Sequence, residues 1–173
     1  MTVSRPVLPL IALAAAGAVL AACETVPSGG APYNPRGAVF SAEDFAWSAR
    51  PGRASIDGRI AYVREGSAFA CTGSVALTPD TPYTRARFQT LYGSTERAAV
   101  PEAVVRARTV PDPNADYRGF VRSATCRDGR FAFEGLPDGA WYVIAPVSAG
   151  GDARVVLMRR VVTRGGRINV TLG

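Results

Sequence analysis

The side chains best suited to chemistry in this 173-residue chain are 3 cysteines and a set of carboxylates, because the sequence has no histidine. Without imidazole there can be no Ser-His-Asp or Cys-His site, and no histidine ligand for zinc or iron. No Gly-x-Ser-x-Gly motif occurs either. The paired carboxylates Glu43 and Asp44 lie in a short peripheral segment, where nothing places them across a cleft. We therefore predict a protein without catalytic residues.

One loop has the spacing of a calcium site. Asp112, Asn114 and Asp116 place oxygen side chains at alternate positions. Tyr117, however, stands where such a loop needs glycine for its tight turn, and Ser123 replaces the final bidentate glutamate. A polar surface loop explains the same residues, so we predict no metal and no cofactor.

Cys23 follows a segment organised like a targeting sequence. Met1–Arg5 is a short basic region, Val7–Val19 is an apolar run, and Leu20–Ala22 presents small residues directly before the cysteine. The run is shorter than the ~20 apolar residues of a comfortable membrane span. The segment resembles the lipobox of bacterial lipoprotein signal peptides, in which the residue at Cys23 carries the lipid. An ordinary secretory leader or an uncleaved anchor is the alternative.

This resemblance implies a signal peptide over residues 1–22 and membrane attachment through lipid on Cys23. Because Glu24 rather than aspartate follows the cysteine, it also implies sorting to the outer membrane, with the protein facing the periplasm. Residues 23–53 would then be a Pro/Gly-rich tether and a short aromatic segment. In that segment, Ser41 suits a helix N-cap and Phe40 and Phe45 suit a hydrophobic staple.

Residues 54–173 have a sequence pattern typical of β-strands. Apolar residues alternate with polar ones in short runs bounded by glycine, proline and aspartate, which predicts about seven half-buried strands and an all-β sandwich. We expect turns or bulges at the Asp-Gly pairs that begin at residues 57, 128 and 138, and a further strand over Glu102–Val110. The predicted core residues are Ile56, Ile60, Tyr62, Val75, Leu77, Phe131, Phe133, Trp141, Val143, Ala145, Val147, Val155, Leu157, Ile168, Val170 and Leu172.

One stretch, Thr81–Gly93, interrupts this β-strand pattern. Apolar side chains at helical spacing, a threonine N-cap, Pro82 in the first turn and a final glycine predict one short inserted helix. Tyrosine and arginine are enriched in binding hot spots, which makes this helix the candidate partner-binding surface. Alternatively, its aromatic side chains dock it on the sandwich. The candidate residues are Tyr83, Arg85, Arg87, Phe88 and Tyr92.

Two cysteines, Cys71 and Cys126, remain after the lipidated one. In an oxidising compartment a left-over pair most simply forms a disulfide, and two separate buried thiols are the alternative.

The stretch Asp128–Val143 resembles the D-G-x-F-x-F-x-x-L-P-x-G-x-Y core of carboxypeptidase regulatory-like domains. Ile56–Ile60 and Gly73–Pro79 resemble their first two strands. The resemblance implies a single prealbumin (transthyretin)-like Greek-key β-sandwich. From the residues themselves, we expect Pro137–Gly139 to close a hairpin between the phenylalanine strand and Trp141–Val147. Hydroxyisourate hydrolases share that fold, but their histidine-rich site has no counterpart in this sequence.

Carboxypeptidase regulatory-like domains are usually accessory or adhesive modules. We therefore expect a lipid-anchored, non-catalytic module of the cell envelope that binds or scaffolds an envelope protein or polysaccharide. The arginines are dispersed, and an envelope location makes nucleic acid an improbable partner. The alternatives are a carboxylate-based enzyme acting on an envelope glycan and a structural subunit of an envelope assembly. The sequence does not indicate an oligomeric state.

Overall fold

The computed structural model describes residues 1–2, 39–108, 110 and 115–173, so the predicted lipidation site Cys23 lies outside the described residues. In the described part, helices are α1 (Ala42–Phe45), α2 (Pro82–Tyr92) and α3 (Glu102–Ala107), with 3-10 helices at Ala46–Ala49 and Ala115–Phe120. The strands are β1 (Ala54–Ile60), β2 (Val63–Arg64), β3 (Ser67–Ala68), β4 (Ala70–Cys71), β5 (Ser74–Pro79), β6 (Arg97–Pro101), β7 (Arg122–Thr125), β8 (Arg130–Leu136), β9 (Gly139–Ser148), β10 (Arg154–Thr163) and β11 (Arg167–Leu172).

Two sheets pack face to face, as predicted for an all-β sandwich. A three-stranded sheet has the order β11–β1–β8, with β1 parallel to β11 and antiparallel to β8. The antiparallel six-stranded sheet has the order β6–β10–β9–β5–β7, and β4 also pairs with β9. The predicted core residues lie between the sheets, although Ile60, Tyr62 and Ile168 are only partly buried. Within the described residues, no helix has the length and apolarity to span a membrane.

The connection from β8 to β9 crosses from one sheet to the other, so the predicted hairpin is wrong. Strand β8 pairs with β1, whereas β9 pairs with β10 and β5. Gly135, at φ 65°, permits the bend, and Pro137 has no N–H for a hairpin ladder. The Thr163 hydroxyl accepts a bond from Trp141 Nε1 (3.2 Å) and donates one to the Pro137 carbonyl (2.8 Å). These bonds hold the crossing against β10.

Helix α2 confirms the predicted insertion. Thr81 and Thr84 form a reciprocal capping box with N···O distances of 3.2 and 2.9 Å. Gly93 ends the helix at φ 74°. Phe88 meets Tyr142 edge-on, with ring centroids 4.8 Å apart, so α2 covers the outer face of the six-stranded sheet.

A buried carboxylate ties α2 to the sheet. The Asp80 side chain is 0% exposed and lies between two guanidiniums. Arg85 of α2 is 2.9 Å from Asp80 Oδ1, and Arg160 of β10 is 2.6 Å from Oδ2. Because a buried charge is costly unless it is paired, this bridge fixes where the helix sits.

The predicted strand over Glu102–Val110 is wrong, because residues 102–107 form α3. The edge strand β6 lies earlier and ends at Pro101. Glu102 then occupies the first helical turn, where acidic side chains are favourable, and its carboxylate pairs with Arg106 one turn later. These local interactions favour a helix in a segment whose apolar side chains have no sheet to face.

The Asp-Gly pairs behave differently from one another. At Asp128 and Gly129, φ values of 49° and 71° form the predicted turn, a two-residue hairpin closed by reciprocal Arg127–Arg130 backbone bonds of 2.9 and 2.8 Å. Gly58, by contrast, lies inside β1 rather than in a turn or bulge. A Cβ there would lie 1.9 Å from the Phe131 ring, so its role is to make room for that ring.

The predicted disulfide is confirmed between Cys71 and Cys126, whose Cα atoms are 6.1 Å apart. It closes a sequence separation of 55 residues, for which the chain-entropy model gives a stabilisation of about 4 kcal/mol. The bond links β4 to the end of β7 and therefore fastens an edge of the larger sheet.

The Asp80 bridge gives a first prediction. Arg160→Gln should lower the free energy of unfolding by about 3 kcal/mol, because it leaves a buried carboxylate with one partner. The measurement is urea denaturation. The matched control Arg97→Gln changes an exposed arginine of β6 and should shift stability by less than about 0.5 kcal/mol. Equal effects of the two substitutions would contradict the structural role of the bridge.

Burial raises the pKa of Tyr142 to about 12, and the negative charge of Asp80 acts in the same direction. Burial also raises the pKa of Tyr92 to about 12. An unfolded chain ionises its tyrosines near pH ~10. The folded state therefore keeps protons that the unfolded state has lost, so this stabilisation is complete below pH ~10 and disappears as pH rises towards ~12.

We expect thermal stability to fall between pH ~10 and ~11.5, with a slope of up to ~1.4 kcal/mol per pH unit for each tyrosine. Melting temperatures from pH 8 to ~11.5 would measure it. Tyr142→Phe keeps the ring and should make the fall shallower, whereas Tyr62→Phe serves as the control. An identical pH dependence in Tyr142→Phe would contradict the assignment.

Candidate functional site

The segment before β1 places Trp47 against the sandwich. Phe40 and Phe45 contact each other with centroids 5.3 Å apart, as expected for the staple. Ser41 occupies the N-cap position, but its side chain makes no capping bond. Arg122 Nη2 donates to the Ser48 carbonyl at 2.9 Å, which anchors the 3-10 helix. Trp47 thereby meets the core residue Trp141 edge-to-face at 4.8 Å.

Two glycines allow this close approach. A Cβ on Gly139 would lie 2.1 Å from Trp47 Cζ3, and one on Gly52 would lie 1.9 Å from the Leu136 carbonyl oxygen. Any side chain at either position would therefore push the segment away from the crossing. The indole consequently sits at a fixed place beside the turn that joins the two sheets.

Trp47 forms one wall of a cleft of about 410 Å³. Arg50 and Arg53 flank it; both are exposed, and their side chains make no ion pair or hydrogen bond within the described part of the chain. On the opposite side, the Asp138 carboxylate accepts a hydrogen bond from the Gly165 amide. The cleft thus combines a half-buried aromatic ring, two guanidinium donors and one oriented carboxylate acceptor.

This combination suits a ligand that has both an apolar face and polar edges. The face of an indole ring carries negative charge density and attracts the slightly positive hydrogens of C–H groups. Guanidiniums present rigid arrays of donors, and a carboxylate only accepts. A ligand with C–H groups on one face and hydroxyls at its rim would satisfy all four side chains at once.

A second cleft, of about 350 Å³ beside α3, contains two carboxylates, Glu102 and Asp152. Two carboxylates are what a glycan-cleaving enzyme would need. Glu102, however, is paired with Arg106 and lies 3.8 Å from Arg154. These ion pairs give the carboxylate a structural role at the junction of α3 and β10.

The candidate partner-binding residues of α2 do not share one open surface. Tyr83 and Phe88 are only 4% and 3% exposed, so both rings dock the helix, as in the alternative that the sequence left open. Arg85 is held by Asp80, and the Arg87 guanidinium lies over the Tyr117 ring at 5.3 Å. The ring of Tyr92 packs on Phe88 at 5.4 Å. Partner binding by these five residues stays a prediction.

Residues 111–114 of the loop with calcium-like spacing lie outside the described residues, and Asp116 is exposed. In the described part of the chain, no group of three or more cysteine, aspartate and glutamate side chains is placed to hold a metal ion.

Sequence reasoning missed the Trp47 cleft. The predicted short aromatic segment includes Trp47, but that prediction makes no connection with the arginines that follow it. The available signal was local: an aromatic residue followed by Arg50-Pro51-Gly52-Arg53. The other wall comes from residues 137, 138 and 165, which only the folded chain brings to the same place.

The chain matches no protein-family model, and no curated protein matches it in sequence. Among solved structures, it resembles a candidate carbohydrate-binding protein from Pseudomonas aeruginosa with a TM-score of 0.52 and 22% identity. The match covers 77% of this chain and 96% of that one. At this level of identity the likeness shows a shared fold. The β-rich fold is also consistent with the prealbumin-like domain that the sequence suggested.

Proposed function

We propose that this protein is a non-catalytic glycan-binding module and that the Trp47 cleft is its binding site. The observation that carries the proposal is the placement of the Trp47 indole between Arg50, Arg53 and Asp138 at a cleft of about 410 Å³. The module is rigid at this point, because Trp47 packs directly on the buried Trp141.

A sugar ring is the ligand whose chemistry fits these side chains. Its C–H groups can stack on the indole, while its hydroxyls accept from guanidiniums and donate to a carboxylate. Arg50 and Arg53 are exposed and available for such bonds. Because Trp47 already packs on Trp141 in the free protein, little ordering of the site is needed when a ligand binds.

The comparison with the Pseudomonas aeruginosa protein supports the same class of ligand. That protein is described as a candidate carbohydrate-binding protein. The support is an analogy between folds, and the argument from the side chains of the cleft is independent of it.

Binding can be read from tryptophan fluorescence, because the chain has 2 tryptophans and Trp141 is fully buried. We expect envelope oligosaccharides to change the emission of Trp47 saturably and to protect it from acrylamide. Trp47→Phe keeps a ring on Trp141 but should lose this signal and weaken binding about tenfold. Arg53→Gln should also weaken binding, whereas Arg97→Gln should not.

The variants Arg53→Gln and Arg97→Gln control for misfolding, because both substituted positions are exposed. Circular dichroism should be unchanged in each of them. If calorimetry shows that oligosaccharides bind Trp47→Phe and Arg53→Gln as tightly as the parent protein, the cleft is not the site. If no neutral or acidic oligosaccharide binds the parent protein, the proposed function is wrong.

We further propose that the module is anchored to the cell envelope, at the outer membrane and facing the periplasm. Support comes from the sequence: the lipobox-like residues before Cys23 and the proline-rich segment that follows. In this proposal, residues 1–22 are removed, lipid is attached to Cys23, and residues 23–53 connect the anchor to the carboxypeptidase regulatory-like sandwich of residues 54–173. A random tether of the 14 residues 24–37 would reach about 20 Å.

Anchoring is tested by labelling cells with radioactive palmitate. The parent protein should carry the label and Cys23→Ala should not. The matched control is Cys71→Ser/Cys126→Ser, which removes the two disulfide-bonded cysteines but keeps Cys23 and should remain labelled. Label that persists in Cys23→Ala, or none in the parent protein, would rule out this anchor.

A further inference from the structure

We infer that the ligand is an anionic polysaccharide, and that the outer face of the three-stranded sheet extends the Trp47 cleft to bind it. This inference rests on the proposed function and adds the charge of the glycan and the length of its site. Three arginines at the far end of the sheet, Arg59, Arg127 and Arg130, carry the argument. We call them the arginine row.

The arginine row is produced by strand register. Arg59 of β1 stands directly opposite Arg130 of β8, and Arg127 bridges to Arg130 across the Asp128-Gly129 turn. Side chains directly opposite on one sheet face have Cβ atoms about 5 Å apart, and like charges at that separation destabilise the pair. The fold therefore holds positive charges together at a cost.

No carboxylate within the described residues neutralises the row. Arg127 and Arg130 make no side-chain hydrogen bond or ion pair there, although both are exposed. Arg59 Nε donates to the uncharged Thr171 hydroxyl at 2.9 Å. The carboxylate of Asp57, on the same face, lies 3.3 Å from Arg167 instead. An external anion would supply the missing negative charge.

The surface beside the row is grooved. A cleft of about 570 Å³ runs past Arg127 and Arg130, where the short side chain of Ala132 leaves space between the strands. A smaller cleft of about 200 Å³ adjoins it at Arg59. Both clefts are also lined by Asn169, whose amide donates and accepts hydrogen bonds, and by Asp57, whose carboxylate is paired with Arg167. Arginines that can bind an anion and side chains that can bind hydroxyls therefore occur together on this face.

The row and the Trp47 cleft lie at opposite ends of the same strand. Arg53 precedes β1, and Arg59 is six residues further along, which is about 20 Å of extended chain. Arg167 lies between them, opposite Ser55 in the parallel β1–β11 pair. A single sugar cannot contact both ends, whereas a polymer chain can. Guanidiniums spaced between the Trp47 cleft and the arginine row match a polymer that carries repeated carboxylates or sulfates.

The test uses three probes of similar length: a hexamer of β-1,4-linked mannuronic acid, the uncharged β-1,4-mannohexaose and a sulfated dextran oligosaccharide. Affinity is measured by calorimetry, and contact with Trp47 by fluorescence. We expect the two charged probes to bind at least about tenfold more tightly than mannohexaose, with affinity falling as salt is raised. The ratio between the two charged probes shows which anion the arginine row prefers.

Arg127→Gln/Arg130→Gln should reduce binding of the charged probes about tenfold or more and leave mannohexaose unaffected. The control Arg64→Gln/Arg97→Gln removes the same charge from exposed positions on β2 and β6 and should change affinity less than about threefold. The melting temperature of the first variant should be equal to or above that of the parent protein, because repulsion around Arg130 is relieved.

The outcomes separate the two proposals. If mannohexaose and the mannuronate hexamer bind equally and both quench Trp47, the protein is a glycan-binding module but the anionic selectivity is wrong. If both double variants weaken binding equally, the attraction is a general effect of net charge and the arginine row is not a site. If the charged probes bind through the row without affecting Trp47, the continuity with the cleft is wrong. If none of the probes binds, both proposals fail.

Discussion

The sandwich depends on one hydroxyl group where the chain passes from the small sheet to the large one. The Thr163 hydroxyl accepts a hydrogen bond from Trp141 Nε1 and donates one to the Pro137 carbonyl. Both groups are at the buried crossing, where they have lost water and would otherwise lack a partner. The same crossing supplies Gly139, on which Trp47 rests, and Asp138, which lines the cleft. The geometry of the candidate site is therefore a by-product of how the two sheets are joined.

The Asp80 bridge acts on the other side of the molecule and has a different role. A carboxylate with 0% exposure and two arginine partners that are 51% and 28% exposed contributes less to stability than its short distances suggest, because desolvation opposes the attraction. Its effect is positional. The bridge fixes the position of α2 on the outer face of the larger sheet, and in that position Phe88 is buried against Tyr142.

The sequence allowed the strands, the core face and α2 to be predicted because these follow from local rules. Alternation assigns Phe131 and Trp141 to the inside, and Thr81 with Gly93 marks the ends of a helix. Alternation does not say to which sheet a strand belongs, so the β8–β9 crossing was mistaken for a hairpin. Local rules also could not predict the Trp47 cleft or the arginine row, because Arg59 meets Arg130 only through strand register, across a sequence separation of 71 residues.

The outer faces of the two sheets differ in how strongly packing constrains their residues. The outer face of the six-stranded sheet is occupied by α2 and must be apolar where Tyr142 and Met158 meet the helix. Among the residues that the structure describes, no helix covers the outer face of the three-stranded sheet, so strand geometry is the main constraint on its residues. A folding requirement would favour opposite charges or β-branched side chains at the directly paired positions, yet Arg59 and Arg130 occupy them. Packing does not explain this choice, whereas the anion binding that we propose would, because an anion between the two guanidiniums would replace their repulsion with attraction.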